Sequence, residues 1–470
     1  MSAISNSVHA LFDKLHLTSF ASSQIHPQNA HGESPSTDDV LSRDGDSSTL
    51  DLSSPSDSGS SDASPSVEAS VTEFVLPEAE EHEHTFVETD LVSDGKEGVA
   101  DLVAEYGSSS ATAWLEHDRY KVWRPTVPIP ESSFVPVQGY LRADPFIFAW
   151  GNPLVSDSAA LAPTCAAFIQ WAKEQKLKVV WLCVDGDMEK VLGAPGSQFN
   201  WSTLSCIVED VLEPKAVVDL ATGPGGGSEV KDLKKNLRRA EREGVTVREL
   251  EHHEWTDEMK HQVEQGIIEW KKSRHGIQIA STSFQPWLDF EHRRYWVAEK
   301  DKAIVGLIIL APIHPTQYQI KNAVSFPNAP RGTSEELIFR AMQDLQNAEE
   351  AEDSLRSPGA GGAFVPTHSR SPSVTRDGSV SPHGHHHGRV TVTFGVSASD
   401  SLTPVDNLSG WKITWLSKTY NTVIGGTGLT RRHDFRNKFH SDHKTMYVCY
   451  PSEDGFGLDG VNKLIKCLRQ

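Results

Sequence analysis

The residues best placed to do chemistry lie in Lys231–Gly244, KDLKKNLRRAEREG. As a helix, this stretch puts Lys231, Lys234, Lys235, Arg238, Arg239 and Arg242 on one stripe, at i, i+3, i+4, i+7, i+8 and i+11. Val230, Leu233, Leu237 and Ala240 fall on a second, apolar stripe that faces a core. A helix anchored on one side and densely cationic on the other suits the phosphates of a nucleic acid. The bland alternative is a solvated surface helix, which Glu241 and Glu243 among the bases favour. A second basic region closes the chain, where Arg431, Arg432, Arg436, Lys438 and Lys444 stand among Phe435, Phe439, Tyr447 and Tyr450. Cations interleaved with rings fit a nucleic-acid end, through phosphate contact and base stacking. They fit a core strand with a charged rim equally well.

The elements that must position these residues follow from the patterning. PFIFAWGNP reads as a buried strand stopped by Gly151–Asn152–Pro153, ALAPTCAAFIQWAKEQKL as an amphipathic helix, and KVVWLCVD as the next buried strand. Strand, helix and strand at this spacing imply an α/β fold with a mixed or parallel sheet. STLSCIVEDVLEP and KAVVDLAT read as a further strand pair leading to Gly223–Ser228, GPGGGS. No Gly-Lys-Ser/Thr follows those glycines and they lack G-x-G-x-x-G, so both nucleotide fingerprints fail. The run reads as a connector whose backbone amides can approach a phosphate at the helix N-terminus. VTVREL is the next strand, and TDEMKHQVEQGIIEWKKSR is a helix with Thr256 as its N-cap. RRYWVAEKDKAIVGLIILAPIHPTQYQIKNAVSF is a strand meander. After the turn PNAPRG, Thr333 or Ser334 caps a helix whose first turn carries Glu335 and Glu336, which suits the dipole. RVTVTFGVSAS and TMYVCYP are later strands.

Charge and composition bound the rest. The net charge is −20, and residues 1–110 hold 21 acidic residues against Lys14, Arg43 and Lys96, so the acidity belongs to the tail. That tail is rich in Ser, Asp, Glu and Pro and reads as disordered, with order beginning near Thr112. VHALFDKLHL within it has the spacing of one short, marginal helix. Residues 350–388 read as a disordered insertion. Ser357, Ser371 and Ser381 precede prolines there as candidate phosphosites, and His383, His385, His386 and His387 form at most a weak metal tract. Five scattered cysteines without a C-x-x-C pair argue against a disulfide framework and a zinc site, and fit a reducing compartment. No apolar run reaches the length of a membrane span, and no secretion signal opens the chain. A cytoplasmic protein, resting peripherally on membranes at most, is the expectation.

The ordered set AWGNP, KKNLRRAEREG, the meander, APRGTSEEL, FRNKF and MYVCYP resembles the catalytic domain of the bacterial lysyl-phosphatidylglycerol synthases. It resembles more closely the fungal sterol aminoacyltransferases that share this domain, in their freestanding form. The resemblance covers roughly residues 110–349 and 389–470. It implies two GNAT-like α/β units in tandem: an acidic tail over 1–110, a first unit over 111–222, and a second over 223–470 that carries the basic helix 230–243 and the insertion 350–388. It implies an aminoacyl-tRNA donor, glycyl-tRNA in the freestanding branch, and the 3β-hydroxyl of ergosterol as acceptor. No cofactor is needed, because an aminoacyl ester is already activated and ester exchange requires neither ATP nor a metal.

The resemblance also assigns roles. The stripe Lys231, Lys234, Lys235, Arg238, Arg239 and Arg242 would hold the tRNA backbone, and Arg331 its 3′ end. Glu335 falls where the bacterial A-P-x-G-T-x-D pattern has its acid, to bind the substrate amino group or act as base. Lys438 matches the lysine of F-x-x-K-F and would neutralise the oxyanion or the leaving 3′-oxygen. One departure stands out: the bacterial Asp-x-Met-Arg strand is here IKNAVSFPNAP, so the amino-acid pocket differs from a lysine pocket. Two alternatives stay open. An acyl-CoA N-acyltransferase would need an Arg/Gln-x-x-Gly-x-Gly/Ala loop, whose spacing APRGTSEEL lacks. A non-catalytic RNA-binding or scaffold protein would use the basic helix alone.

Overall fold

The computed structural model describes residues 96, 98–225, 227–273, 284–356, 389–408, 435–453 and 456–469. The N-terminal segment through 95, the serine and histidine sites of 357–388, and Arg431 and Arg432 lie outside the described residues. Order begins before Thr112, with α1 (Val99–Tyr106), which buries Val99, Ala100 and Val103. Then come α2 (Thr112–Glu116), β1 (Lys121–Trp123), β2 (Gln138–Ala143), β3 (Phe146–Trp150), α3 (Leu161–Glu174) and β4 (Lys178–Val184). Helix α3 buries Leu161, Cys165, Phe168, Ile169 and Ala172, one stripe at helical spacing. β3 is buried at every position, which explains its unbroken apolar run.

α4 (Gly186–Gly193) follows, capped by Asp185, whose side chain accepts from the backbone amides of Asp187 and Met188. β5 (Ser202–Leu212) leads into α5 (Pro214–Thr222). The sequence predicts a strand at KAVVDLAT, and the structure corrects this to a helix. Pro214 occupies its first turn, Lys215 pairs with Asp219 one turn on at 3.2 Å, and Val217 is the valine that is fully buried. The β-branched pair misleads because tertiary burial outweighs its strand preference.

The second half holds α6 (Ser228–Arg242), β6 (Thr246–Leu250), α7 (Asp257–Ser273), β7 (Arg294–Lys300), β8 (Ala303–His314), β9 (Gln317–Ser325) and α8 (Thr333–Arg356). The Thr256 hydroxyl accepts from the Met259 amide at 3.2 Å, as an N-cap should. Helix α8 runs past residue 350, where the insertion was expected to begin, because NAEEAEDSLR continues with good helix formers. β10 (Thr391–Pro404), β11 (Asp442–Tyr450) and α9 (Leu458–Arg469) complete the described chain.

Among the described residues the strands form one eleven-stranded sheet in the order β1-β2-β3-β4-β11-β5-β10-β9-β8-β7-β6. The fold is mixed α/β, as expected. β11, from the end of the chain, lies between β4 and β5, and β10 lies on the other side of β5. β3–β4 and β9–β10 are parallel; the other described pairs are antiparallel. The β9–β10 pairing covers only Thr391–Thr393 against Gln317–Gln319. Beyond it β9 stays with β8 while β10 stays with β5, so the two strands part.

Candidate active site and basic cleft

Where β9 ends, the chain turns through Pro327–Gly332 into α8. Gly332 has φ +98°, and a Cβ there would lie 2.2 Å from the Asn236 carbonyl oxygen, so only glycine lets this turn rest on the backbone of α6. Thr333 and Ser334 do not cap the helix as expected; both fall inside its first turn. The Thr333 hydroxyl donates to the Pro330 carbonyl at 2.7 Å, and Ser334 shares a 2.6 Å hydrogen bond with Ser325 of β9. These bonds lock the turn to the sheet and to α8 together.

The result is a buried carboxylate. Glu335 is 7 % exposed. Its Oε1 accepts from the Asn236 amide at 2.7 Å and from the Lys438 ammonium at 3.1 Å. The first turn of α8 places the carboxylate at a helix N-terminus, which favours its charge. The structure therefore joins the two residues predicted to be catalytic into one ion pair. Asn236, which sequence reading missed, completes the group. Its signal was a polar residue at 236, three past Leu233 and four before Ala240, on the apolar face of the basic helix.

Lys438 arrives on the turn 435–440. Phe439 and Phe435 anchor it in the core, with ring centroids 5.7 Å apart and Phe439 6.1 Å from Phe394. The Lys438 side chain is 17 % exposed and its ammonium lies 5.3 Å from the Phe435 ring centre. Arg436, two residues earlier, was expected to belong to the nucleic-acid end. It is instead buried, ion-paired with Asp210 of β5 and donating to the Phe394 carbonyl at 3.4 Å. Burial lowers the pKa of its guanidinium, and Asp210 works against that. One turn thus ties Glu335 of α8 with Lys438 and Asp210 of β5 with Arg436, straddling the place where β9 and β10 part.

Helix α6 presents its other face to solvent. Lys231, Lys234, Lys235, Arg238 and Arg242 line a cleft of about 800 Å³ with Gly223, Pro224, Gly225 and Glu241. Lys234 is committed to the loop, donating to the carbonyls of Gly223 at 2.5 Å and Gly225 at 3.0 Å. Arg239 is exposed but lies outside the cleft lining. Arg331 is exposed on the turn beside Gly332. The glycine connector is therefore a wall of the cleft, held by a lysine of the stripe. The same helix carries the cations outward and Asn236 inward.

The stretch that departs from the bacterial pattern holds a second buried group. Lys321 of β9 pairs with Glu116 of α2 at 3.1 Å and donates to the Thr112 hydroxyl at 2.9 Å; Glu116 also pairs with Arg293 at 3.1 Å. Burial, opposed by Glu116, brings the Lys321 ammonium down to about 8.

The family model for phosphatidylglycerol lysyltransferase, C-terminal, matches residues 102–352. The chain belongs to this family. Two solved structures share the fold. One is the C-terminal domain assigned to a lysylphosphatidylglycerol synthetase of Agrobacterium fabrum, at 14 % identity and TM-score 0.51, covering 78 % of this chain and 92 % of that one. The other is L-PGS from Bacillus licheniformis, at 13 % identity and TM-score 0.53, covering 80 % and 98 %. No curated protein sequence matches the chain. Membership makes this lysyltransferase-family chain an enzyme, an aminoacyl-tRNA-dependent lipid aminoacyltransferase. The matched span contains α6, Glu335 and the Gly332 turn, while Lys438 comes from beyond it. Among the described residues, no helix is long and apolar enough to cross a membrane.

Proposed function

We propose that the chain transfers an aminoacyl group, glycine in the first instance, from tRNA to the 3β-hydroxyl of a membrane sterol, ergosterol. The observation that carries the reading is the Asn236–Glu335–Lys438 group set behind a basic cleft on a single helix. In this reading Lys231, Lys235, Arg238 and Arg242 hold tRNA phosphates, Lys234 shapes the loop beside them, and Arg239 and Arg331 extend the contact along the acceptor arm. Glu335 receives the α-ammonium of the esterified amino acid through Oε2, since Asn236 and Lys438 both donate to Oε1. Lys438, its side chain only 17 % exposed, faces the carbonyl oxygen as it becomes an oxyanion. The choice of glycine rests on the resemblance to the freestanding fungal enzymes and on the departure of the β9 stretch from the bacterial Asp-x-Met-Arg pattern. The enzyme acts from the cytosolic side of sterol-containing membranes, as a peripheral protein, with no cofactor.

The test is a transfer assay. Full-length chain is mixed with ergosterol vesicles, total tRNA, the aminoacyl-tRNA synthetases, ATP and amino acids, and extracted lipids are weighed by mass spectrometry with and without ribonuclease. A ribonuclease-sensitive sterol ester of glycine mass is the expected product. An aminoacylated phospholipid in its place would reject the sterol acceptor, and a different added mass would reject glycine.

A further inference from the structure

The exposed apolar side chains are not spread evenly. Val127 is 70 % exposed and Val135 is 50 % exposed, both on the loop after β1. Tyr106, at the end of α1, is also exposed and packs its ring on Phe134 of the same loop, centroids 4.8 Å apart. Leu355 and Val405, the other large hydrophobics exposed among the described residues, lie close to segments outside them. Residues 125–136, PTVPIPESSFVP, hold four prolines and a single charge, Glu131, in a chain that is 23 % charged. The loop is held at several points. Ile129 is buried, and the Ser132 amide donates to its carbonyl at 3.0 Å. The Ser133 amide donates to the Ser156 hydroxyl at 2.7 Å, and Val137 bridges to Leu154. With φ fixed by proline and the turns fixed by these bonds, the two valines point outward from an ordered backbone that loses little entropy when they are covered.

We infer that Val127, Val135 and Tyr106 form the surface that seats the enzyme on an uncharged, sterol-containing bilayer. This rests on the function proposed above, whose acceptor lies in a membrane, and it names the surface that meets that membrane. Charge selects the occupant. The chain carries −20, so an anionic leaflet repels it as a whole. A loop with one charge in twelve residues approaches a neutral leaflet with little ionic desolvation. The valines enter the apolar layer, and the tyrosine, apolar in its ring and polar at its hydroxyl, suits the headgroup boundary. Apolar side chains gathered in one exposed patch mark an interaction surface, where single scattered ones do not.

Helix α1 also sets the side of approach. Its buried residues share a core with Ile207 of β5, while α6 shares a core with Leu212 of the same strand. The β5–β11 ladder is regular from Ile207 to Val211, and an odd separation along a strand puts two side chains on opposite faces. A membrane met beside α1 therefore leaves the basic cleft of α6 open to its own ligand.

The experiment uses full-length chains and phosphatidylcholine–ergosterol vesicles, read by sedimentation and by transfer from glycyl-tRNA. Val127→Asp, Val135→Asp and the double variant are compared with wild type and with Leu355→Asp, whose exposed side chain lies at the end of α8. Each single change is expected to weaken vesicle binding about 10-fold and the pair about 100-fold, with unchanged melting temperature, while Leu355→Asp binds as wild type does. Raising the salt from about 0.1 M to about 1 M leaves wild-type binding to vesicles in place. Ergosterol supplied in detergent micelles returns the double variant to the wild-type transfer rate. A double variant that sediments like wild type, wild-type binding that salt abolishes, or a transfer defect that persists in micelles overturns the assignment while leaving the function standing. A wild type that ignores vesicles and self-associates through these residues overturns it too, in favour of a protein partner. Vesicle binding that the variants lose, from a wild type that aminoacylates no lipid in vesicles or micelles, upholds the docking surface and overturns the function.

Discussion

Asn236 and Glu335 lie 99 residues apart and meet at 2.7 Å, and this contact couples the cationic helix to the buried acid. Whatever docks on the outer face of α6 therefore positions the helix that orients the carboxylate within. In the function proposed above, that coupling would link recognition of the donor to placement of its ester.

Lys438→Ala should separate catalysis from binding. Transfer is expected to fall by about 10²-fold or more, while tRNA affinity, measured by filter binding, stays within twofold. Because the variant leaves Glu335 buried without its counter-charge, stability should drop by about 3 kcal/mol in urea. Equal loss of tRNA binding and transfer would remove Lys438 from the chemistry.

The lysines of the stripe should not behave alike. Lys235→Ala and Arg238→Ala each remove a cation that lines the cleft, so each should lower the slope of log affinity against log salt by about 1. Lys234 is tied to the carbonyls of Gly223 and Gly225. Lys234→Ala should weaken binding by loosening the loop, with a smaller change in slope. Identical slopes for all three variants would contradict this division.

Gly332→Ala should be damaging out of proportion to one methyl group. The backbone has φ +98° and the added carbon would meet the Asn236 carbonyl at 2.2 Å. A loss of about 2 kcal/mol or more is expected from the strain and the forced retreat of α6. Chemical denaturation measures it, and a near-neutral result would show that the turn does not rest on the helix.

Lys321 supplies a pH dependence whose sign follows from its burial. Its ammonium is brought down to about 8 from an ordinary 10.5. Between those values the unfolded chain holds the proton that the folded chain has released, so this site adds stability as pH rises and costs stability below it. Comparing wild type with Lys321→Met cancels the other titrating groups. The difference should move in favour of wild type by about 2 kcal/mol between pH 7 and pH 9.5. A flat difference would mean that Lys321 stays charged throughout.

What the sequence determined by itself was whatever a local period can encode. The two faces of KDLKKNLRRAEREG, the buried strands around AWGNP and KVVWLCV, the meander and the start of α8 all follow from neighbours within a turn or a pleat. Even there, KAVVDLAT became a helix, because burial of one valine and a proline start outweighed β-branching. The tertiary structure decided which side chains meet. In FRNKF, Arg436 and Lys438 are two cations two residues apart and look equivalent. One is buried on Asp210, 226 residues away in sequence, and the other reaches Glu335, 103 away. His443 finds Asp210 only because β11 slots between β4 and β5. Such contacts depend on strand order and on which carboxylates lose their water, and neither leaves a periodic trace in the chain.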